Sequence, residues 1–204
     1  MIHPHTELRY INPQIGYGVV ATHLIPRGTV TWVSDQLDQV VPAAQKLTLP
    51  ALLQDQLDTY SFRDAEGNYI LCWDNARFVN HSCRANCLSA DFECEIAVRD
   101  ILPGEELTDD YGTLNIEASF TCACRQPRCR RVVRPDDVLA YAPLWDGLLQ
   151  QSLPFLSQVA QPLWPLVEAN HKLRRVLAGE VPVPSLMAHY CRSGPASILN
   201  QAQP

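Results

Sequence analysis

Arg77-Phe78-Val79-Asn80-His81-Ser82-Cys83-Arg84-Ala85-Asn86-Cys87 is the stretch that decides how this chain is read. It sets Asn80 and His81 side by side and follows them with two thiols, Cys83 and Cys87. Asn offers both a donor and an acceptor, and a neutral His offers one of each. An isolated Asn-His pair is more often a turn or a satisfied core pair, so its neighbours matter. Downstream stand Ile101-Leu102-Pro103-Gly104-Glu105-Glu106-Leu107-Thr108-Asp109-Asp110-Tyr111-Gly112 and then Cys122-Ala123-Cys124-Arg125-Gln126-Pro127-Arg128-Cys129. Upstream stands Gly16-Tyr17-Gly18, a glycine pair that lets a backbone approach a ligand closely and that also makes an ordinary tight turn.

The chain has 204 residues, 47% hydrophobic and 19% charged, with a formal net charge of -6. That size suits one domain with an appendage, or two small domains. The acidic balance argues against nonspecific nucleic-acid binding, which needs clustered Lys and Arg. It favours a basic partner, or serves only solubility. No apolar run follows a basic start, and no apolar stretch reaches the ~18 residues a membrane helix needs. These features predict no membrane partner and a cytoplasmic location, where the eight cysteines are free or metal-bound rather than disulfide-bonded.

Residues 7 to 33 read as short strands separated by turns, and residues 43 to 58 as a helix carrying Leu49, Leu52, Leu53 and Leu57. Tyr60 to Phe62 and Tyr69 to Trp73 read as strands, and Glu93 to Val98 alternates like a half-buried one. After Arg134 the pattern turns helical, over 136–151 and 155–179, with Pro154, Pro162 and Pro165 as limits or kinks. Asp136 and Asp137 are candidate caps. Ser193 to Pro204 reads as a loose tail. Cys72, Cys94 and Cys191 read as small buried hydrophobes. His3-Pro4-His5 reads as a disordered start, and the basic run Arg128, Arg130, Arg131 and Arg134 as a solvated face.

Taken in order and spacing, the four blocks resemble a SET-domain protein lysine methyltransferase with a cysteine-rich post-SET segment, over residues 7 to 131. Trp73 to Phe78 and Gly28 to Trp32 resemble the small bacterial members in particular. The resemblance implies a mainly β SET fold, a β-clip with a pseudoknot that brings Asn80-His81 to Tyr111. A zinc-pinned post-SET loop and an α-helical C-terminal appendage complete it. The expected division is a SET domain over 7–116, a zinc segment over 117–133, helices over 134–192 and the tail over 193–204.

The implied activity is S-adenosylmethionine-dependent N-methylation of a lysine in a basic protein or peptide, with no specific nucleic acid as partner. By the resemblance Gly16, Tyr17, Gly18, Tyr60, Arg77, Asn80, His81, Tyr111 and Phe120 serve the donor. Phe62, Asp109 and Tyr111 line the lysine channel, with Tyr111 and Asp109 at the catalytic point. Catalysis there is largely orientation, aided by weak CH···O contacts, and the lysine must lose its proton. A Tyr-x-Phe strand is also ordinary core material. Cys122, Cys124 and Cys129 supply three thiolates for a tetrahedral zinc. The resemblance makes Cys83 the fourth, with Cys87 in reserve. Such a site contributes on the order of 10 kcal/mol to ordering its loop.

One position departs from the pattern. Two residues before Tyr111 the family carries Phe or Tyr, and here stands Asp109. Its carboxylate opposes lysine deprotonation, acts as a base if its pKa is raised, or points away while Asp110 makes an N–H contact. The family's other channel tyrosine falls nearest Trp32 or Ser34. A degenerate SET module gripping a lysine peptide without methyl transfer is the second reading, and a nucleic-acid-binding zinc ribbon the third. Histone tails, ribosomal proteins, DNA-binding proteins and the chain's own tail are open as substrates. So are the number of methyl groups added, the oligomeric state, and a secreted effector as the alternative to a cytosolic bacterial protein.

Overall fold

Asn12 turns the chain into its first hairpin. Its side-chain Oδ1 accepts the N–H groups of Gln14 and Ile15 at 2.9 and 3.0 Å, and Gly16 follows at φ +82°. A side chain at that φ is strained, so glycine is the natural occupant. The computed structural model describes residues 1–89, 92–167 and 171–191. Its hairpin pairs β1 (Thr6–Asn12) with β2 (Gly16–Ala21). Next come β3 (Val30–Val33), β4 (Gln39–Val41), α1 (Ala43–Lys46), α2 (Ala51–Tyr60), β5 (Ser61–Arg63) and β6 (Tyr69–Leu71).

The helix expected over 43–58 is therefore two. Pro50 stands at the start of α2, where its missing N–H costs nothing, and the chain cannot run helical through it. Of the leucines that suggested this helix, only Leu57 is buried within α2, while Leu52 and Leu53 are exposed. Tyr60 closes α2 and does not open a strand, as the sequence had suggested. Phe62 lies in β5, in the sheet ordered β4-β6-β5.

The chain continues through β7 (Asn80–His81), β8 (Cys87–Ser89), β9 (Cys94–Ala97), β10 (Thr108–Asp109), β11 (Phe120–Thr121) and β12 (Val132–Val133). A central sheet is ordered β3-β9-β8. The decisive pairing is parallel: β10 lies on β7, with Thr108 opposite Asn80 and Asp109 opposite His81. This is the crossing that sets the Asn-His pair beside Tyr111. Strands β11 and β12 pair antiparallel and bracket the cysteine segment.

The C-terminal helices are α3 (Asp137–Ser152), α4 (Trp164–Val167) and α5 (His171–Leu177). The expected helix over 155–179 is broken into short pieces, and Pro165 falls in the first turn of α4. Asp136 precedes α3 but makes no side-chain cap bond; Asp137 accepts the Arg134 N–H at 3.1 Å. The helices share one core with the central sheet. Val30, Leu88, Phe92 and Ile96 meet Val138, Trp145, Leu149 and Leu173. Truncating a buried leucine there, such as Leu149, costs about 2–5 kcal/mol.

Cys72, Cys94 and Cys191 are buried, as the sequence suggests. The chain start differs from expectation. His3 is 2% exposed and its N–H reaches the Thr31 carbonyl, so residues 3–5 are built into the fold. The expected loose tail over 193–204 lies outside the described residues. Among those described, no helix is long and apolar enough to cross a membrane.

Candidate active site and thiol cluster

A cavity of about 840 Å³ opens between the β4-β6-β5 sheet and the β7/β10 crossing. Trp32, Tyr60, Phe62, Asp109, Tyr111 and Phe120 all line it, with Arg77 and Ser34. Trp32 and Phe62 meet edge to face at 5.6 Å, which suits aromatic quadrupoles. Both positions that the sequence offered for the missing channel tyrosine, Trp32 and Ser34, therefore face this cavity.

Tyr111 is fixed at three points. Its hydroxyl donates to the Val79 carbonyl at 2.8 Å, its N–H donates to His81 Nδ1 at 3.1 Å, and its ring meets Phe120 at 5.9 Å. Asp110 sets the turn beneath it by accepting the Gly112 N–H at 3.0 Å. Burial, with the charges of Asp109, Glu106 and Glu95, pushes the Tyr111 phenol well above its ordinary pKa. The hydroxyl therefore stays protonated and can orient but not accept a proton. Burial, and secondarily the Arg130 charge, lowers His81 to about 4. A neutral imidazole whose Nδ1 accepts a hydrogen bond carries its proton on Nε2, which lies 3.4 Å from Cys83 Sγ.

Gly18 is needed for close approach. A Cβ there would lie 2.2 Å from Glu106 Oε1 and 2.9 Å from Asn80 Nδ2. Asn80 Nδ2 donates to the Tyr17 carbonyl at 2.9 Å and to Glu106 Oε1 at 2.7 Å. Tyr17, Gly18 and Asn80 are thus one cluster. The Tyr17 ring is exposed and faces Phe78, which also meets Tyr60 at 5.5 Å and lies under the Arg77 guanidinium.

The Sγ atoms of Cys83, Cys122, Cys124 and Cys129 all lie within 4.8 Å of one another. Cys83 is 3.7 Å from Cys122 and 4.0 Å from Cys129. Four thiolates on a tetrahedral zinc with ~2.3 Å bonds stand roughly 3.8 Å apart, so the donors fit. Backbone N–H groups of Cys124, Arg130 and Arg131 point at Cys122, Cys83 and Cys129. The cluster is able to hold a metal ion. Cys87, the reserve candidate, is wholly buried in β8 and outside it.

Three participants were missed in the sequence. Arg130 is not a solvated charge: its guanidinium pairs with Asp110 and Asp137 and lies over Tyr141 at 4.7 Å. It ties the cysteine segment to the turn bearing Tyr111. Glu106 anchors Asn80. Glu95, the polar member of an alternating strand, faces the cavity and the buried Asp109 rather than bulk water. Alternation puts Glu95 on one side of a half-buried strand and does not say what that side faces.

Comparison with known proteins agrees with this geometry. The SET domain family model matches residues 16–112, and residues 16–112 of this chain are a SET domain. Cys122, Cys124 and Cys129 beyond them cluster with Cys83 and fit a post-SET segment. The chain is 42% identical over 62 residues to a histone-lysine N-methyltransferase, H3 lysine-4 specific, of Schizosaccharomyces pombe, covering 27% of this chain and 7% of that protein. It is 46% identical over 65 residues to human histone-lysine N-methyltransferase 2B, covering 28% and 2%. It is 28% identical over 133 residues to the histone-lysine N-methyltransferase trithorax of Drosophila virilis, covering 56% and 4%. The chain thus spans less than a tenth of these relatives' length.

Proposed function

We propose that this protein transfers a methyl group from S-adenosylmethionine to the side-chain amine of a lysine in a protein substrate. The observation that carries the reading is the fixing of Tyr111 by Val79 and His81 at the wall of one cavity, beside Asn80 and the glycine turn. S-adenosylmethionine supplies a methyl carried on a sulfonium. Gly16 leaves the main chain open to it, Gly18 lets Asn80 and Glu106 close on the turn, Asn80 and His81 offer polar contacts, and Tyr17, Tyr60, Arg77 and Phe120 enclose it. Phe62, Trp32 and Asp109 line the path of the lysine. Tyr111 orients the reacting centre, where alignment dominates the rate.

The cavity wall supports a basic substrate. Asp64, Glu66 and Glu93 line it against Arg77, while Asp35, Asp58 and Glu117 pair with the N-terminal amine, Lys46 and Arg63. Complementary charge steers such a partner. Histones are the first candidates, because the relatives are named as histone-lysine methyltransferases. Residues 193–204 contain no lysine, so that segment offers no acceptor amine. Zinc is the metal we assign to the four thiols, in a reducing compartment such as the cytosol.

The test is mass spectrometry of histones and a basic-protein mixture incubated with S-adenosylmethionine and the protein. Wild type adds one or more methyl groups to a lysine, and Tyr111→Phe loses most of that activity. The buried carboxyl of Asp109 favours a second reading, a module that grips a lysine peptide without turnover. Donor binding by calorimetry with no methylated product would support that module and sink the enzyme.

A further inference from the structure

Glu95, which the transfer reaction described above does not use, faces Asp109 across the same cavity. Asp109 is 1% exposed. Its Oδ1 accepts the Asp110 N–H at 2.6 Å, its buried Oδ2 accepts from no N–H or hydroxyl, and its carboxyl faces that of Glu95. Glu95 reaches the same cavity from β9, where it stands opposite Trp32 on β3 and Ser89 on β8. The indole Nε1 of Trp32 is likewise buried without a partner. Two facing carboxyls and an aromatic wall of Trp32 and Phe62 thus converge on the space beside Tyr111. Such a set suits an incoming ammonium.

Building on the methyltransferase reading, we propose that Glu95 and Asp109 act as a proton-accepting pair for the substrate lysine. In the resting protein the pair holds one proton, because two adjacent buried carboxylates do not both ionise. The lysine enters as its ammonium, drawn by the remaining negative charge. It passes one proton to the pair, which becomes doubly protonated, and its nitrogen regains a lone pair. The nitrogen then forms the new N–C bond as the sulfur–methyl bond breaks, and the electron pair stays on sulfur. The product leaves as a methylated ammonium, and the pair returns its extra proton to water. No further reactant is needed.

Electrostatics agrees with this role. Burial pushes Glu95 up to about 7, and burial together with the Glu95 charge puts Asp109 well above the usual carboxylate range. Cys72 and Cys87 are raised by burial and stay thiols, and Tyr111 stays a phenol. Burial also raises Glu106 and Asp110, against the hydrogen bonds they accept from Asn80 and Arg130, and the N-terminal amine pairs with Asp35. Glu93 is exposed.

The experiment is the pH profile of kcat/KM for wild type, Glu95→Gln, Glu95→Asp and Asp109→Asn, with histones and the basic-protein mixture as probe. Donor binding by calorimetry checks that each variant is folded. Wild-type activity rises with pH through about 7 as the pair loses its second proton. Glu95→Gln lowers kcat/KM near neutrality by about 100-fold or more, recovers as pH rises toward the lysine's own titration, and is partly rescued by Glu95→Asp. A Glu95→Gln profile of unchanged shape, in a variant that still binds donor, would overturn the pair and leave the enzyme reading intact. No transfer by wild type at any pH would overturn the enzyme reading and the pair with it.

Discussion

Replacing Arg130 by Met removes the charge that holds the cysteine segment to the Tyr111 turn while keeping most of the side-chain volume. The Arg130 side chain is 8% exposed and that of Asp110 3%, so the pair is buried. Breaking a buried pair by removing one partner costs about 3–5 kcal/mol, chiefly because the other charge is left uncompensated. At ~2–4 °C per kcal/mol for a chain of this length, Tm falls by roughly 6–20 °C. Burial already raises the Asp110 pKa despite Arg130, and losing the cation raises it further. The folded variant then binds more protons than the unfolded chain, so its stability falls as pH rises from the unfolded carboxylate value toward the raised folded one. The deficit is therefore larger at pH 8 than at pH 5. Urea unfolding at both pH values and a fixed zinc concentration measures it. The double variant Arg130→Met/Asp110→Asn recovers part of the loss, because Asn can still accept the Gly112 N–H while Asp137, the second partner of Arg130, stays uncompensated. A loss below ~1 kcal/mol, the range of an exposed ion pair, or one independent of pH would refute the reasoning.

Gly18→Ala forces the new methyl against Glu106 Oε1 and Asn80 Nδ2, and calorimetry should show S-adenosylmethionine binding weakened by about tenfold or more, ~1.4 kcal/mol. Unchanged affinity would remove this turn from the donor site. Cys124→Ser should abolish the single equivalent of zinc detected by elemental analysis and the methyl transfer with it, while far-UV circular dichroism keeps the signal of the central sheet. Asp109→Asn should stabilise the fold by ~1–3 kcal/mol at pH 8 and by less at pH 5, because it removes a buried carboxyl whose raised pKa costs stability as pH rises. Equal urea midpoints for variant and wild type at pH 8 would contradict it. Tyr111→Phe should lose the 2.8 Å bond to Val79 and most transfer activity while still binding donor.

Elements whose information is local were legible before any fold was in view. Asn80-His81, the glycine pair at 16 and 18, and the thiols at 122, 124 and 129 sit at spacings that a short loop or turn enforces. The burial of Cys72, Cys94 and Cys191 was legible because a free cysteine behaves as a small hydrophobe. Tertiary structure alone decided what meets across the fold. For Glu95 alternation gives only the side of the strand, and only the β3-β9-β8 sheet shows that this side faces a cavity. Arg130 reads as one of four exposed arginines because its partners, Asp110 and Asp137, come from two other segments. Likewise α2 repeats its leucines at helical intervals, yet whether Leu52 and Leu53 are covered depends on which element lies against them. Residue spacing encodes the turn and the face; the partner depends on strand register and packing between segments distant in sequence.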